Sequence, residues 1–334
     1  MLLLAFTLVG CGGSSSRESV SVDGSSTVFP LTEAVAGEFM NANSGTRVNI
    51  GVSGTGGGFA KFLRGETAIN NASRPISPAE IKKAEKNGIE FIELPVAYDG
   101  IAVVVHPKND WANCLTAGEL EEIWAPNSPI QRWNQIRDAF PDRPIELYGP
   151  GTASGTYDYF TEAIVGKAEA SRSDFTASED DNVLVQGIKG TETALGYFGL
   201  AYYENNAKEL KALSIDPDQR NSGASCVAPS AKTVKNGSYR PLSRPLFIYV
   251  NAAKITPAVE SFVKFYLENA DKLAPDVGYV GMPEDAYELA LQRFRNRTTG
   301  TVFGAEGIDA TGTRVEKMLR SAMEDTASAD TTAQ

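Results

Sequence analysis

The chain has 334 residues, of which 42% are hydrophobic and 22% charged, and its 31 basic and 42 acidic side chains leave a net charge of −11. This composition is typical of a globular chain of about two domains; it excludes a collagen-like or wholly disordered protein, and no internal apolar run reaches the ~18 residues of a membrane span. The acidic excess also argues against nucleic-acid binding, which needs a basic surface.

Residues 1–18 are predicted to be an export signal followed by a flexible tether. The opening apolar run ends in Leu8-Val9-Gly10-Cys11, which resembles a bacterial lipobox, and small residues follow it at 12–16. Cys11 is therefore a candidate for lipidation as the mature N-terminus. The alternative is an ordinary secretory signal cleaved elsewhere. The lipobox predicts a periplasmic protein anchored to the membrane through its lipid alone.

In the first third of the chain, short apolar runs alternate with helical periods. Strands are predicted at 19–22, 47–52, 91–96 and 101–105, and helices at 30–40 and 59–63. Ser77-Pro78-Ala79-Glu80 is a capping box, and Gly88 is the predicted helix stop. The alternation predicts an α/β fold with parallel sheets. His106, the sole histidine, is interpreted as a strand end.

From Trp111 onward, helices are shorter and loops more frequent. Thr116-Ala117-Gly118-Glu119 is a second capping box, which opens a helix that runs to Trp124. Further strands are predicted at 144–148, 195–199 and 245–250, and further helices at 157–164, 258–267 and 286–294. Residues 324–334 are small and polar and are predicted to be disordered.

The two buried-type strands at 101–105 and 245–250 bracket a middle block of different character. We therefore expect two domains joined by two crossings, with a ligand cleft between them. Domain one comprises residues 19–104 and 246–323, and domain two residues 105–245.

Two cysteines remain if Cys11 carries a lipid. Export places Cys114 and Cys226 in an oxidising compartment, where a pair is a candidate disulfide; the alternative is two buried free thiols. Because both belong to the middle block, we expect a bond between them to brace domain two rather than to close the cleft.

Three loops rich in Gly, Ser and Thr precede predicted helices: Gly24-Ser25-Ser26-Thr27, Ser53-Gly54-Thr55-Gly56-Gly57-Gly58, and Gly151-Thr152-Ala153-Ser154-Gly155-Thr156. A helix N-terminus has unpaired N–H groups and a positive dipole end, glycine lets an anion approach, and hydroxyls add donors. Helix capping and turn formation explain any one such loop. Three of them in one chain favour an anion site.

Enzymatic phosphate motifs are absent from the sequence. There is no Gly-x-x-x-x-Gly-Lys-Ser/Thr, no Gly-x-Gly-x-x-Gly after a strand and no Gly-x-Ser-x-Gly, and a triad base would have to be His106. The loops are therefore interpreted as holding an anion without turning it over.

An ordered set of motifs carries a family resemblance. The motifs are Asp23-Gly-Ser-Ser-Thr-Val-Phe-Pro30, Ser53-Gly-Thr-Gly-Gly-Gly58, Asn71-Ala-Ser-Arg-Pro75, Tyr98-Asp-Gly-Ile101 and Ser154-Gly-Thr156. From about residue 20 to 320 the chain resembles the periplasmic phosphate-binding proteins of phosphate ABC transporters (PstS type), particularly their SphX-like branch. The resemblance implies a two-domain clamshell of the type II binding-protein fold that holds phosphate without metal or cofactor.

The resemblance also implies the residues that bind phosphate. They are Ser26, Thr27 and Val28 in the first loop, Ser53 or Thr55 in the second, and Ser154, Gly155 and Thr156 in the third. Many members have an arginine where this chain has Pro150, and an aspartate where it has Arg74. We therefore assign the phosphate-binding guanidinium to Arg74, with a surface arginine that caps the Ser77 helix as the alternative.

Selection of phosphate over sulfate needs an acceptor for the P–OH hydrogen. Asp99 is the candidate, Asp158 and Asp181 are the next choices, and the alternative for Asp99 is an ordinary turn residue before Gly100.

The expected function is a monomeric, non-catalytic solute-binding protein that delivers inorganic phosphate to ABC permease subunits. The competing hypotheses are an exported phosphatase and a phosphate-sensing or adhesion protein with the same pocket.

Overall fold

The computed structural model describes residues 18–152, 154–178, 180–217, 226–304 and 315–332, with side chains described to residue 324. Its strands are β1 Glu18–Gly24, β2 Thr46–Ile50, β3 Ile69–Ala72, β4 Phe91–Val105, β5 Cys114–Thr116, β6 Glu146–Pro150, β7 Thr176–Ser178, β8 Ala194–Gly199, β9 Lys211–Ala212, β10 Ser214–Asp216 and β11 Ser243–Asn251. Its α-helices are α1 Phe29–Ala42, α2 Gly54–Phe62, α3 Pro78–Asn87, α4 Ala117–Trp124, α5 Gly155–Phe160, α6 Asp181–Gly190, α7 Leu200–Asn205, α8 Ala231–Lys235, α9 Pro257–Leu273, α10 Glu284–Arg295 and α11 Val315–Thr332.

One mixed sheet runs through the molecule in the order β2-β1-β3-β11-β4-β8-β6-β7, with β9 beside β4, while β5 and β10 form a separate parallel pair. The long strand β4 belongs to both halves of this sheet. It pairs with β11 as far as Gly100 and with β8 from Ile101 onward. The chain returns to the first half at Ser243, where β11 begins.

The prediction of parallel sheets is correct only in part. β1 is parallel to β2 and β3, and β6 is parallel to β7 and β8. The central strand β4 is antiparallel to both β11 and β8. Strands buried on both faces are typical of parallel sheets. Here the central strands β4 and β11 are buried along their whole length although they pair antiparallel in a mixed sheet.

Two other expectations differ from the structure. The strands predicted at 91–96 and 101–105 are one continuous strand, because Tyr98-Asp99-Gly100 stays extended and paired. Helix α11 continues to Thr332, although the sequence predicts disorder from Glu324. The boundaries predicted at 104/105 and 245/246 lie within strands β4 and β11. The division into two domains stays a prediction.

The capping boxes at Ser77 and Thr116 are confirmed. In each, the N-cap hydroxyl accepts from the N–H of a glutamate three residues later, and that glutamate accepts from the N-cap N–H. Gly88 ends α3 in the left-handed conformation, with φ 64°. Both signals are local, so they form wherever the rest of the chain packs.

The carboxyl ends of the parallel strands in both halves point toward the place where β4 changes partner. Ala72 ends β3 opposite Phe247, at the middle of β11, and Gly199 ends β8 opposite Ile101. The loops that follow β1, β2 and β3 therefore face those that follow β6, β7 and β8, which is where open α/β sheets bind ligands.

Candidate functional site

The first loop lies between β1 and α1 and is largely buried. Thr27 donates its N–H to Ser25 Oγ at 3.2 Å, and its carbonyl accepts from the Tyr279 hydroxyl. Val28 is the N-cap of α1 and lacks a capping side chain, so no side-chain hydrogen bond caps this helix. The Phe29 N–H at the start of α1 donates to the Ser25 carbonyl, and Pro30 has no N–H, so the start of this helix offers few free donors.

In the second loop, between β2 and α2, the hydroxyls of Ser53 and Thr55 both form hydrogen bonds within the protein. The Ser53 hydroxyl donates to Asp23, whose carboxylate also pairs with Lys61 Nζ at 2.6 Å. Because its proton is committed to Asp23, the Ser53 oxygen acts as an acceptor. Thr55 Oγ1 accepts from the Ser73 N–H at 3.2 Å and lies 3.0 Å from the Ser73 hydroxyl.

The glycine run in this second loop is explained mainly by packing. A Cβ on Gly58 would lie 2.5 Å from Gly24 Cα, so α2 passes directly against the end of β1. Glycine at 58 is thus required by the approach of the helix to the strand, independently of any anion.

The third loop, before α5, brings the two halves of the sheet together. Ser154 caps α5 by accepting from the Thr156 N–H at 3.2 Å. A Cβ on Gly155 would lie 1.8 Å from Thr27 Oγ1, so no other residue fits there. The starts of α1 and α5, which come from opposite halves, are therefore in direct contact.

The structure holds Arg74 in a salt bridge. Its two terminal nitrogens donate to the Glu80 carboxylate at 2.9 and 3.0 Å, and one also donates to the Pro75 carbonyl. Burial alone would raise the pKa of Glu80, but the hydrogen bonds from Arg74 and Ser77 outweigh it and lower the pKa. These contacts agree with the alternative, in which Arg74 braces α3, and its phosphate role stays a prediction.

Asp99 is buried at the crossing between the two halves, with 2% of its side chain exposed. Its register partner in β11 is Arg244, whose Nη2 lies 3.5 Å from Asp99 Oδ2. Burial raises the pKa of Asp99, while the charge of Arg244 opposes the rise. Asp99 is thus a paired carboxylate within the sheet and not a turn residue.

The two other carboxylates lie at neighbouring helix starts. Asp158 is in the first turn of α5, and burial raises its pKa with a further contribution from Glu169, while Arg244 opposes the rise. Asp181 opens α6. Asp158 follows Gly155 by three residues in α5, and the Gly155 carbonyl oxygen lies 3.4 Å from Arg244 Nη2, so Asp158 is near the Asp99 pair.

Arg244 lies beside Asp99 but is not among the site residues predicted from the sequence. It precedes the predicted strand at 245–250 by one position, and a charged side chain at the edge of a fully apolar strand was the available signal. Its guanidinium carbon lies 3.7 Å from the centre of the Tyr159 ring, and its Nη2 is 3.4 Å from the Gly155 carbonyl oxygen. It therefore joins Asp99 to the third loop.

The disulfide between Cys114 and Cys226 is confirmed; it links residues 112 positions apart. Cys11 and the signal and tether lie outside the described residues. Within the described ranges, no cluster of His, Cys, Asp or Glu has the arrangement of a metal site, and no helix is long and apolar enough to cross a membrane.

Comparisons with known proteins agree with the fold. Residues 11–270 match the family model described as a PBP superfamily domain. The chain is 49% identical to protein SphX of Synechocystis sp. over 312 residues, covering 92% of this chain and 91% of that protein. It is 38% identical to the phosphate-binding protein PstS of Staphylococcus saprophyticus, covering 84% and 87% of the two chains.

A solved structure shows the same architecture. The crystal structure of a possible phosphate-binding protein from Planctomyces limnophilus superposes with a TM-score of 0.78 at 46% identity, covering 84% of this chain and 99% of that one. The fold is thus that of the type II binding proteins, as the motifs predict. With a family model matched over most of its length and close identity to SphX, this chain belongs to the PBP superfamily and, within it, to the family of the SphX and PstS proteins.

Proposed function

We propose that the protein captures inorganic phosphate between the two halves of its sheet and delivers it to the permease subunits of an ABC transporter. The observation that carries this proposal is the contact between Gly155 and Thr27, which joins two Ser/Thr-lined helix starts from opposite halves. The relatives SphX and PstS, the latter named as a phosphate-binding protein, support phosphate as the anion.

The proposed binding groups are those predicted from the sequence. The hydroxyls of Ser26 and Thr27 contribute from one half, with Thr55 from the second loop. The N–H groups at the start of α5 and the hydroxyls of Ser154 and Thr156 contribute from the other. Because these groups come from both halves, bound phosphate would stabilise the closed arrangement of the two halves.

Isothermal titration calorimetry of the mature protein tests the proposal. We expect a tight 1:1 complex with phosphate and much weaker heat with sulfate. Sulfate has no hydrogen for the carboxylate of Asp99 to accept, so the two would repel each other. A wild-type protein that is folded and shows no phosphate binding would refute the proposal.

We also propose that the bound phosphate is not turned over. His106 follows the end of β4, and its Nδ1 accepts from the Lys108 N–H at 3.1 Å, so its local role is structural. Steady release of phosphate from a phosphomonoester by the purified protein would contradict this part.

We propose that Cys11 anchors the exported protein through a lipid. The lipobox that ends at Cys11 supports this assignment. We expect a Cys11→Ser variant to leave the membrane fraction, while wild-type protein stays there and its N-terminal peptide gains the mass of a lipid. Equal distribution of the two proteins would contradict the anchor.

A further inference from the structure

Arg244 occupies the point where the sheet changes partner. It lies opposite Asp99, and the next pair, Ser243 and Gly100, is the last one between β11 and β4. From Ile101 onward β4 pairs with β8 of the other half. A ligand held by Arg244 would therefore lie beside the point where β4 passes from one half of the sheet to the other.

The hydrogen bonding of this guanidinium is incomplete. Its Nη2 is 3.5 Å from Asp99 Oδ2 and 3.4 Å from the Gly155 carbonyl oxygen, both longer than a charge-assisted bond. Among the described residues, neither the buried Nε of Arg244 nor the buried Oδ2 of Asp99 has a hydrogen-bond partner. An arginine carries five N–H donors, so this one keeps donors for a ligand.

Burial makes these incomplete contacts significant. Only 8% of the Arg244 side chain and 2% of the Asp99 side chain are exposed. A buried charge pair at 3.5 Å, with one polar atom on each side chain unpaired among the described residues, recovers only part of its lost hydration. Arg74 provides the contrast, because both of its terminal nitrogens meet Glu80 at bonding distance.

The ring of Tyr159 lies directly beside the Arg244 guanidinium. The guanidinium carbon is 3.7 Å from the ring centre, and the Tyr159 hydroxyl donates to the Pro241 carbonyl at 2.6 Å. An aromatic ring this close attracts the cation without using up its N–H donors. One nitrogen that carries them, Nη2, lies 3.4 Å from the Gly155 carbonyl oxygen at the start of α5.

We propose that Arg244 is the guanidinium that binds the tetrahedral oxyanion in the cleft, with Asp99 pairing it across the strands. This inference rests on the proposed function, because it names the charge partner of the same phosphate. It also places the charged contact on β11, beside the point where β4 changes partner, so that binding links this crossing to the third loop.

Phosphate titrations of four folded proteins test this proposal: wild type, Arg244→Gln, Arg244→Lys and Arg137→Gln. Loss of a buried charged partner weakens binding about 30-fold to 5000-fold, so we expect that range for Arg244→Gln. Lysine keeps the charge without the planar fork, so Arg244→Lys is expected between the two. Arg137 is the matched control, since it pairs with Glu119 and stacks on Phe140 outside the three loops. Arg137→Gln is expected to bind like wild type.

The double variant Arg244→Gln/Asp99→Asn separates ligand binding from folding. Arg244→Gln leaves Asp99 as an unpaired buried charge and so risks unfolding, whereas the double variant removes both charges. The double variant is expected to fold and to bind phosphate far more weakly than Asp99→Asn alone. Phosphate affinity within threefold of that single variant would overturn the proposal.

A measurement on wild-type protein completes the test. In spectra of protein labelled with ¹⁵N-arginine, phosphate should shift the Nε–H signal that disappears in Arg244→Lys. An unchanged signal at saturating phosphate would overturn the role of Arg244 and leave the proposed function intact. Wild-type protein without any phosphate binding would instead refute the proposed function.

Discussion

Strand β4 carries two buried carboxylates in contrasting surroundings. Glu93 accepts four hydrogen bonds, from the hydroxyls of Tyr249 and Thr301 and from the N–H groups of Val302 and Phe303, at 2.6 to 3.0 Å. Asp99 has Arg244 at 3.5 Å, and its Oδ2 has no hydrogen-bond partner in the described part of the chain.

The difference separates a fully hydrogen-bonded carboxylate from one with an oxygen left unpaired by the described residues. The protein itself satisfies Glu93, which thereby fixes the segment at 301–304 against the sheet. The Asp99 pair keeps unused donors and an unused acceptor at the junction of the two halves. Burial is nearly the same for the two residues, at 1% and 2% exposure, so hydrogen-bond completeness distinguishes them.

The largest expected effect concerns stability alone and comes from the disulfide. The chain-entropy model gives ~4–5 kcal/mol for the loop that it closes, although measured gains are often smaller. We expect the double variant Cys114→Ser/Cys226→Ser to unfold at much lower urea concentration and, when folded, to bind phosphate normally. Wild-type protein with reductant is the control. A large loss of affinity in the folded variant would show that the bond also shapes the cleft.

Glu93→Ala tests how much the four hydrogen bonds of Glu93 stabilise the fold. It leaves the buried Tyr249 hydroxyl, the partly buried Thr301 hydroxyl and two N–H groups without their acceptor, so we expect a loss of about 3 kcal/mol or more in the free energy of unfolding. Urea denaturation measures it, with the exposed Glu90→Gln as the control at the start of the same segment. A loss below about 1 kcal/mol would mean that the four bonds do not distinguish Glu93 from Asp99.

Asp99→Asn tests the proposed role of Asp99 in selecting phosphate over sulfate. The amide adds a donor and removes a repulsive charge, so sulfate affinity should rise while phosphate affinity falls, changing their ratio about tenfold or more. Titration with both anions measures the ratio, and Asp158→Asn serves as the comparison. An unchanged ratio in Asp99→Asn would transfer the acceptor role to Asp158 or Asp181.

Arg74→Gln has the smallest expected effect on stability and decides between the two arginines as ligands. The pKa of Glu80 is lowered in the folded state, so the pair stabilises the protein above the unfolded pKa of about 4.3 and loses that contribution as pH falls. At neutral pH we expect a loss of about 1 kcal/mol. The difference from wild type should shrink below about pH 4, where Glu80 is protonated in both unfolded chains.

The phosphate affinity of the same variant tests the original assignment. A loss of about 30-fold or more in Arg74→Gln, with little change in Arg244→Gln, would establish Arg74 as the phosphate arginine. The opposite pattern would establish Arg244.

Local structure that depends on residues a few positions apart could be predicted from the sequence. The capping boxes at Ser77 and Thr116 and the left-handed stop at Gly88 need only residues a few positions apart, so local chemistry specifies them. The ordered loops before α1, α2 and α5 likewise identified the family and the fold class.

The pairing of residues that are distant in the chain could be seen only in the folded structure. Register between β4 and β11 places Arg244 beside Asp99, although 144 intervening residues separate them in the chain. Strand direction in the shared sheet, the commitment of Ser53 to Asp23, and the pairing of Arg74 with Glu80 are likewise contact properties. Side-chain pairing across strands follows from the packing of the whole sheet, and composition or spacing along one segment does not encode it.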